Sequence, residues 1–257
     1  MIDMQLSSGL PVRFDELAEK FVFGEGIIYS HVNRIPLASM LPGLLNKTLR
    51  YPETVYLETK NVRKVNDDDY FKQTGFNYDI VMLPAGLMGV EFIRSHIFYL
   101  KPDPGNLRVS EIVEAICGNL SILLQKNKPK DDFDFETKVS EGLVVRLAKG
   151  EKFIIPQGYY YTFINTKLRP VVFSRFYLKG TLCDYSEFRR EQGLAYFAIR
   201  KNAKQEIVLN PRYRDIPQIK KVSSSAANIS MSPQLGAEPL YVQIVNQSNH
   251  LSSLFIQ

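Results

Sequence analysis

The chain has 257 residues, 45% of them hydrophobic and 23% charged, and its formal net charge is +5. These values are typical of a globular protein with a sizeable core, and they exclude a disordered chain or a small disulfide-stabilised domain. The two cysteines, Cys117 and Cys183, have no paired spacing, so we expect a reducing, cytoplasmic setting. The first residues lack a signal-peptide pattern and no run approaches 18 apolar residues, so we expect no membrane association.

The positive charge has two interpretations. Basic residues are scattered and mixed with acidic ones, as where Lys126, Lys128 and Lys130 are followed at once by Asp131 and Asp132. This pattern lacks a nucleic-acid-binding signature, so we expect no nucleic-acid partner. Either the surface is simply basic and solvated, or the excess charge favours an anionic metabolite.

The predicted elements change character along the chain. Up to about residue 47 the sequence predicts short helices and loops, with helical apolar spacing in residues 14–23 and 37–45. From Thr54 onwards, many short strands alternate with turn signals such as Lys149-Gly150 and Pro156-Gln157-Gly158. This pattern is typical of an all-β barrel or sandwich.

The carboxy-terminal part is more mixed. Residues 184–192 predict a helix that ends at Gly193, residues 222–233 form a Ser-rich linker, and residues 240–245 look strand-like. We therefore expect three parts: an extension of helices and loops that packs on the barrel (residues 1–50), the barrel domain (51–221), and the linker with its strand-like tail (222–257).

Residues 150–165 carry the most specific motif. Gly150 is followed, after five residues, by Pro156-Gln157-Gly158, and then by Tyr161 and Asn165. The spacing resembles the second half-motif of the cupins throughout, except that Tyr161 stands where the motif has histidine. The resemblance implies an all-β fold, a cupin double-stranded β-helix (jelly-roll) barrel with short helices at the amino terminus and one helix after the barrel.

The first cupin half-motif is only partly present. Its tail is intact, because six residues separate Glu111 from Gly118. Counted from Gly89, its two histidine positions fall on or near Ser95 and Ile97, and His96 lies one residue out of register.

Within the cupins, residues 54–214 resemble the cupin-type glucose-6-phosphate isomerases. Four pieces carry the resemblance: LPAGLMGVEFI, PQGYYYTFINT, RPVVFSRFYLKGTLCDYSEF and VLNPRYR. The family interconverts glucose 6-phosphate and fructose 6-phosphate, which places it in glycolysis and gluconeogenesis. The resemblance therefore implies a sugar phosphate as small-molecule partner and a homodimer.

The resemblance also implies a divalent metal held by three histidines and one glutamate. In the family this metal polarises the sugar oxygens while a carboxylate moves the proton between carbons. Glu111 matches the glutamate, but Tyr161 replaces one histidine and the other two are absent in register. Glu111 and His96 are the remaining ligand candidates, too few for a metal of the family kind, so we expect no confidently assigned cofactor.

The substrate contacts of the family are also carried over by position. Tyr177 lies where the family has a pocket tyrosine, and Tyr185 belongs to a matching Asp-Tyr pair, although Cys183 replaces the preceding histidine. Ser95 and His96 fall in the stretch that meets the phosphate in the family, and Arg94 is the candidate cation there. The expected substrate-binding residues are Arg94, Ser95, His96, Tyr177 and Tyr185.

Two hypotheses about function stay open. In the first, the protein is a sugar-phosphate isomerase, with Glu111 as catalytic base made effective by burial and with Tyr161 as the second catalytic residue. In the second, it is a non-catalytic cupin that binds a sugar phosphate or related anionic metabolite, or a structural dimer. In that case Glu111 is a structural carboxylate bonded to Tyr161, and the tyrosines fill the barrel.

Overall fold

The computed structural model describes residues 1–101, 109–129, 137–179, 182–183, 190–224 and 235–255. The strands are β1 (Ile2–Asp3), β2 (Val12–Asp15), β3 (Lys20–Phe23), β4 (Ile27–Ile28), β5 (His31–Pro36), β6 (Thr54–Lys60), β7 (Arg63–Lys64), β8 (Phe76–Leu83), β9 (Leu87–Met88), β10 (Glu91–Phe92), β11 (Leu100–Lys101), β12 (Val109–Cys117), β13 (Leu120–Asn127), β14 (Val139–Leu147), β15 (Lys152–Pro156), β16 (Tyr159–Ile164), β17 (Val171–Leu178), β18 (Leu182–Cys183), β19 (Tyr196–Lys201), β20 (Lys204–Leu209) and β21 (Lys220–Ser223). The helices are α1 (Gln5–Ser8), α2 (Leu37–Met40), α3 (Asp68–Thr74), α4 (Leu240–Asn246) and α5 (Ser248–Phe255), with 3₁₀ turns at Leu41–Gly43 and Val65–Asp67.

Two facing sheets form the barrel. The larger sheet has the order β15-β12-β17-β8-β6-β5 and is antiparallel throughout. The smaller has the order β16-β13-β14-β21, in which only the β14–β21 pair is parallel. On the other side of β16, the segment around Ser95 and Phe98 continues the pairing, since the Phe98 amide donates to the Tyr161 carbonyl over 2.8 Å. This is the all-β cupin architecture that the motif spacing predicted.

Strand alternation separates the apolar side chains into an interior and two outer faces. The interior cluster takes Leu83, Val113 and Phe173 from the larger sheet, and Ile122 and Phe163 from the smaller one. Each such side chain contributes about 1.5–3 kcal/mol by leaving water. Helix α2 also packs into this cluster and closes that part of the barrel.

The outer face of each sheet is covered as well. Phe14 from the amino-terminal hairpin and Tyr241 and Phe255 from the carboxy-terminal helices pack on the larger sheet. Tyr196 and Ala198 of β19 pack on the smaller sheet. Because both outer faces are buried, the strands of the barrel are nearly continuous apolar runs, and a charged residue inside one of them is conspicuous.

The motif residues outside the site are structural. Gly118 and Gly158 have φ of +80° and +83°, a left-handed conformation that glycine adopts without strain, and each lies in a turn between strands. The Asn165 side-chain amide donates to the backbone carbonyls of Leu83, Pro84 and Arg169 over 2.9–3.1 Å. Asn165 thus ties the end of β16 to the end of β8.

Both termini differ from the prediction. Residues 14–23 were expected to be helical, but β2 and β3 form a hairpin in which Phe14 pairs with Phe21. Residues 240–245 were expected to be strand-like, but they form α4, which buries Leu240, Tyr241 and Ile244 on one side. In both cases the apolar residues fit either a helix or a strand when only their spacing is considered. The surface that they cover in the folded protein decides between the two, and local spacing does not specify that surface.

Two strands lie at or beyond the boundaries that we expected for the barrel domain. Strand β5 pairs with β6 along its whole length, so the larger sheet begins before residue 51. At the other end, β21 crosses the expected boundary at residue 222 and pairs with β14. Of the helix expected at 184–192, only Arg190 and Glu191 are described and helical; residues 184–189 lie outside the described part. In the ranges given above, no helix is long and apolar enough to cross a membrane.

Candidate functional site

One end of the barrel interior is charged. Where β6 and β17 end and β8 and β12 begin, strand alternation turns polar side chains of neighbouring strands toward the same interior space. We call them the charged cluster: Glu58 and Lys60 on β6, Asp79 on β8, Glu111 on β12, and Arg175 and Tyr177 on β17.

Arg175 lies at the centre of this cluster and joins two carboxylates. Its Nη2 donates to Oε2 of Glu111 over 2.6 Å, and its Nε donates to both oxygens of Glu111 over 3.1–3.2 Å. Its Nη1 donates to Oε1 of Glu58 over 3.1 Å. Glu111 is 0%, Arg175 3% and Glu58 6% exposed, so both ion pairs are buried, and the pair with Glu111 has the bidentate fork geometry.

Aromatic rings surround the guanidinium on the remaining sides. The Phe98 ring centroid lies 4.0 Å from Cζ of Arg175, and the rings of Tyr177 and Phe163 lie at 5.2 and 5.6 Å. Such contacts stabilise a desolvated cation by about 2 kcal/mol.

A second ion-pair group lies next to the first. Lys60 Nζ donates over 2.8 Å to Glu58 and to Asp79, and over 3.3 Å to the Tyr177 hydroxyl, which in turn donates to Asp79 over 2.7 Å. The Lys60 side chain is 22% exposed, and Tyr177 is half-buried. Lys60 and Tyr177 are therefore the part of the cluster that solvent reaches.

The pKa values follow from burial and from the two cations. Burial raises the pKa of Glu111, although Arg175 and the nearby phenol of Tyr161 act in the opposite direction. For Glu58, burial is outweighed by Arg175 and Lys60, which hold its pKa below the ordinary value. Burial and the neighbouring Asp79 raise the pKa of Tyr177. The pKa values of Glu58, Glu111 and Tyr177 therefore differ from those of the same groups in water.

Tyr161, which we expected beside Glu111, lies close enough to that carboxyl group to affect its pKa. It is 0% exposed and packs in the interior cluster, with its ring 5.7 Å from those of Phe98 and Phe163. The structure therefore brings together three of the predicted site residues: Glu111, Tyr161 and Tyr177.

Ser95 and Arg94, expected to meet a phosphate, are held by the protein itself. The Arg94 guanidinium donates to the Gly43 carbonyl over 2.6 Å and to the Ser95 carbonyl over 3.0 Å, and it pairs with Glu91 at 3.5 Å. The Ser95 hydroxyl bonds the Phe163 amide and Thr162. Both residues are buried.

His96 points into the barrel, whereas the motif spacing placed the inward positions at Ser95 and Ile97. Its Nδ1 bonds the Tyr56 hydroxyl over 2.8 Å, and the next inward residue is Phe98. Ile97, which the spacing placed at a histidine position, packs on the opposite face of the sheet. Burial and nearby Arg94 lower the pKa of His96, which favours the neutral ring. Tyr185, the remaining predicted contact, lies outside the described residues.

The described residues do not fit the metal that the resemblance implies. Across the described ranges, no group of three or more His, Cys, Asp and Glu side chains has an arrangement that could hold a metal. Both oxygens of Glu111 accept hydrogen bonds from Arg175, and Nδ1 of His96 is bonded to Tyr56. The Glu111 carboxylate is therefore already paired with a cation. The one imidazole that remains, that of His96, is too few ligands for a metal site of this kind.

Five residues at the site were not predicted from the sequence: Glu58, Lys60, Asp79, Phe98 and Arg175. A signal was present in the strands, because Arg175 interrupts the apolar run VVFSRFYL and Asp79 interrupts YDIVML. A charge inside a strand that is buried on both faces requires a partner, and the partner strands carry Glu58 and Glu111. The motif spacing points only to the positions where the histidines are missing, and the neighbouring strands that carry these residues lie outside the motif.

Several solved cupins resemble parts of this chain. The vicilin of Solanum melongena is 13% identical over 50% of this chain and 30% of its own (TM-score 0.32), and the oxalate decarboxylase of Lactobacillus farciminis, solved as a formate complex, is 9% identical over 52% and 31% (TM-score 0.33). The Cupin_2 domain of an XRE family transcriptional regulator from Enterobacter cloacae is 18% identical over 41% and 82% (TM-score 0.25). The chain thus spans about 30% of the length of the vicilin and of the decarboxylase.

No curated protein matches the chain. A family model does: the model described as Glucose-6-phosphate isomerase (GPI) matches residues 44–215, well over half of the chain and nearly all of the barrel. Together with the cupin architecture, this match shows that the chain belongs to the cupin-type glucose-6-phosphate isomerase family.

Proposed function

We propose that this family member is a non-catalytic cupin, which binds a sugar or sugar phosphate at the open side of its barrel without isomerising it. The observation that supports this most strongly is the position of Glu111. The carboxylate at the family's glutamate position is fully buried, and both of its oxygens accept hydrogen bonds from Arg175. A general base must come within about 3 Å of the proton it removes, which this carboxylate cannot do while Arg175 holds it.

The open side of the charged cluster supports ligand binding. A ligand oxygen at this side would replace one of the hydrogen bonds that Lys60, Tyr177 and His96 now make to Glu58, Asp79 and Tyr56. These three side chains are partly exposed and carry an ammonium group, a phenol and an imidazole. Groups of this kind bind hydroxyl and phosphate oxygens, and the adjoining aromatic rings suit the apolar face of a sugar. Tyr177 and His96 keep in this proposal the substrate-binding role that the resemblance predicted for them.

A second candidate is metal-free isomerisation, and one observation favours it. Burial raises the pKa of Glu111, which brings a carboxyl group closer to the range where it exchanges protons near neutral pH. In this case Arg175 must release Glu111 when substrate binds, and Arg175 or Lys60 must polarise the sugar oxygens that a metal polarises in the family.

The test combines turnover and binding on the full chain. Purified protein is given fructose 6-phosphate in a coupled assay, with EDTA and then with Mn²⁺, Fe²⁺, Ni²⁺ or Zn²⁺, and glucose, glucose 6-phosphate and fructose 6-phosphate are titrated by calorimetry. We expect no turnover and measurable binding of at least one sugar, weakened in Tyr177→Phe. Turnover that is lost in Glu111→Gln and kept in the surface variant Lys220→Met would replace the proposal by the second candidate.

A further inference from the structure

We propose that the open side of the charged cluster selects an unphosphorylated sugar, which it binds through the hydroxyl donors of the sugar, and that it rejects the phosphorylated form. This inference rests on the proposed function, because it names the class of sugar that the same site takes. Two properties of the cluster support it: the balance of its charges, and the use of its hydrogen-bond donors by the protein itself.

Acidic groups outnumber basic groups in the cluster. The three carboxylates of Glu58, Asp79 and Glu111 face the two cations Lys60 and Arg175. All three acidic residues are at most 6% exposed, so solvent and salt screen their charges little. Among the described residues, the cluster therefore has one negative charge in excess, and it would repel a phosphate group brought beside it.

The basic side chains next to the cluster do not reverse this balance. Arg94 pairs with Glu91 at 3.5 Å, so its charge is matched by a carboxylate of its own. Burial lowers the pKa of His96, which favours the uncharged ring. A phosphate group carries about 1.5 to 2 negative charges near neutral pH, and neither side chain supplies the positive charge that would balance them.

The donors of the most exposed cation are already used. An ammonium group has three N–H donors, and that of Lys60 makes three hydrogen bonds: to Glu58 and Asp79 over 2.8 Å each, and to the Tyr177 hydroxyl over 3.3 Å. A phosphate oxygen could accept from Lys60 only by displacing one of these groups. Displacing either carboxylate would leave a buried charge without its partner, which is strongly unfavourable.

A sugar hydroxyl avoids this exchange, because it can donate to the cluster. Carboxylate oxygens accept more than one hydrogen bond each. Within the described residues, the hydrogen bonds to the Glu58 carboxylate end on Oε1, so Oε2 can accept from a ligand while the contacts of Lys60 and Arg175 stay intact. Solvent reaches this edge of the cluster, since the Lys60 side chain is 22% exposed. A hydrogen bond to an ionised acceptor is also stronger than one between neutral groups.

The experiment compares three probes by calorimetry on the full chain at pH 7: glucose, glucose 6-phosphate, and glucosamine with its ammonium group. We expect glucose to bind at least about tenfold tighter than glucose 6-phosphate, and glucosamine to bind tighter than glucose. Added salt should weaken the binding of glucosamine and leave that of glucose nearly unchanged.

One variant tests whether the charge of the cluster sets this selectivity. Glu58→Gln keeps the Oε1 acceptor and removes one negative charge, so the affinity ratio of glucose to glucose 6-phosphate should fall to about threefold or less. The matched control is Glu206→Gln, which removes an exposed carboxylate that pairs with Lys201 at 3.9 Å on β20, and it should leave the ratio unchanged.

The comparison in wild type decides the proposal even if Glu58→Gln does not fold. Glucose 6-phosphate that binds as tightly as glucose, or glucosamine that binds more weakly than glucose, would overturn the inference and leave the proposed function standing. The same holds for a ratio that Glu58→Gln does not change. Absence of binding by all three probes would overturn the proposed function, and the inference with it.

Discussion

Replacing Arg175 by methionine tests the energetics of the charged cluster directly. Methionine keeps much of the volume of the side chain but removes the positive charge and its four hydrogen bonds to Glu111 and Glu58. Breaking a buried ion pair by removing one partner costs about 3–5 kcal/mol, because the other partner stays buried without compensation. We expect a loss of this size at pH 7, which is a large part of the stability of a single domain.

The loss should depend on pH with a definite sign. In wild type the pKa of Glu58 is held below its ordinary value of 4.5, so the ionised carboxylate contributes stability above pH 4.5, and this is lost as the pH falls. Without Arg175, burial raises the pKa of Glu111 further, and Glu58 keeps only Lys60 to oppose the effect of burial on its pKa. The variant is then most stable below pH 4.5 and loses stability as the pH rises, so the difference from wild type should widen from pH 4 to pH 8.

The measurement is urea unfolding of both proteins, followed by far-ultraviolet circular dichroism because the chain has no tryptophan. The control is Lys220→Met, which breaks an exposed pair with Glu141 at 3.1 Å and should cost less than about 1 kcal/mol. The double variant Arg175→Met/Glu111→Met should recover part of the loss, since an apolar pair needs no compensation. A loss below about 1 kcal/mol at pH 7, or a difference that does not change with pH, would refute the electrostatic argument.

Two further predictions concern packing outside the charged cluster. Gly142→Ala should lower the free energy of unfolding in urea by about 1–3 kcal/mol, because the added methyl group would overlap the buried ring of Tyr196. In the control Gly236→Ala the methyl group meets only ordinary van der Waals contacts, so its stability should stay within about 0.5 kcal/mol of wild type. Equal effects of the two substitutions would contradict the packing argument. Tyr241→Phe removes the hydrogen bond that the hydroxyl donates to Asp67 over 2.5 Å. It should lower the free energy of unfolding by about 1–2 kcal/mol and speed proteolysis of the carboxy-terminal helices. An unchanged cleavage rate would show that this bond does not hold the helices in place.

The barrel was predictable because its turn residues are specified locally. Gly118 and Gly158 adopt positive φ, and Asn165 bonds three backbone carbonyls, so their spacing in the sequence reports the fold directly. The termini were less predictable. In residues 240–245, β-branched composition suggested a strand, yet the apolar surface left open on the larger sheet accommodates a helix. That surface exists only after the barrel has formed.

The candidate site was predictable only in part, for a physical reason. A motif identifies a position by its spacing from a turn, so it locates Glu111 and Tyr161 and shows that histidines are missing. It does not show which residue compensates the buried charge that remains. Compensation acts through space. Arg175 on β17 reaches Glu58 on β6 across one intervening strand, β8, and their separation of 117 positions in the sequence carries no signal of this contact.

The charge of buried strands offers a way to find such partners. A carboxylate buried inside a barrel is unstable unless a cation lies beside it, and the cation must itself lie on an interior position of the same barrel. In this chain that condition selects Arg175 on β17, since alternation places it on the interior face with Phe173 and Tyr177. Glu111 at the family position therefore signals neither catalysis nor metal binding by itself. Its role is decided by whether its partner is exchangeable, like a metal, or covalently part of the chain, like Arg175.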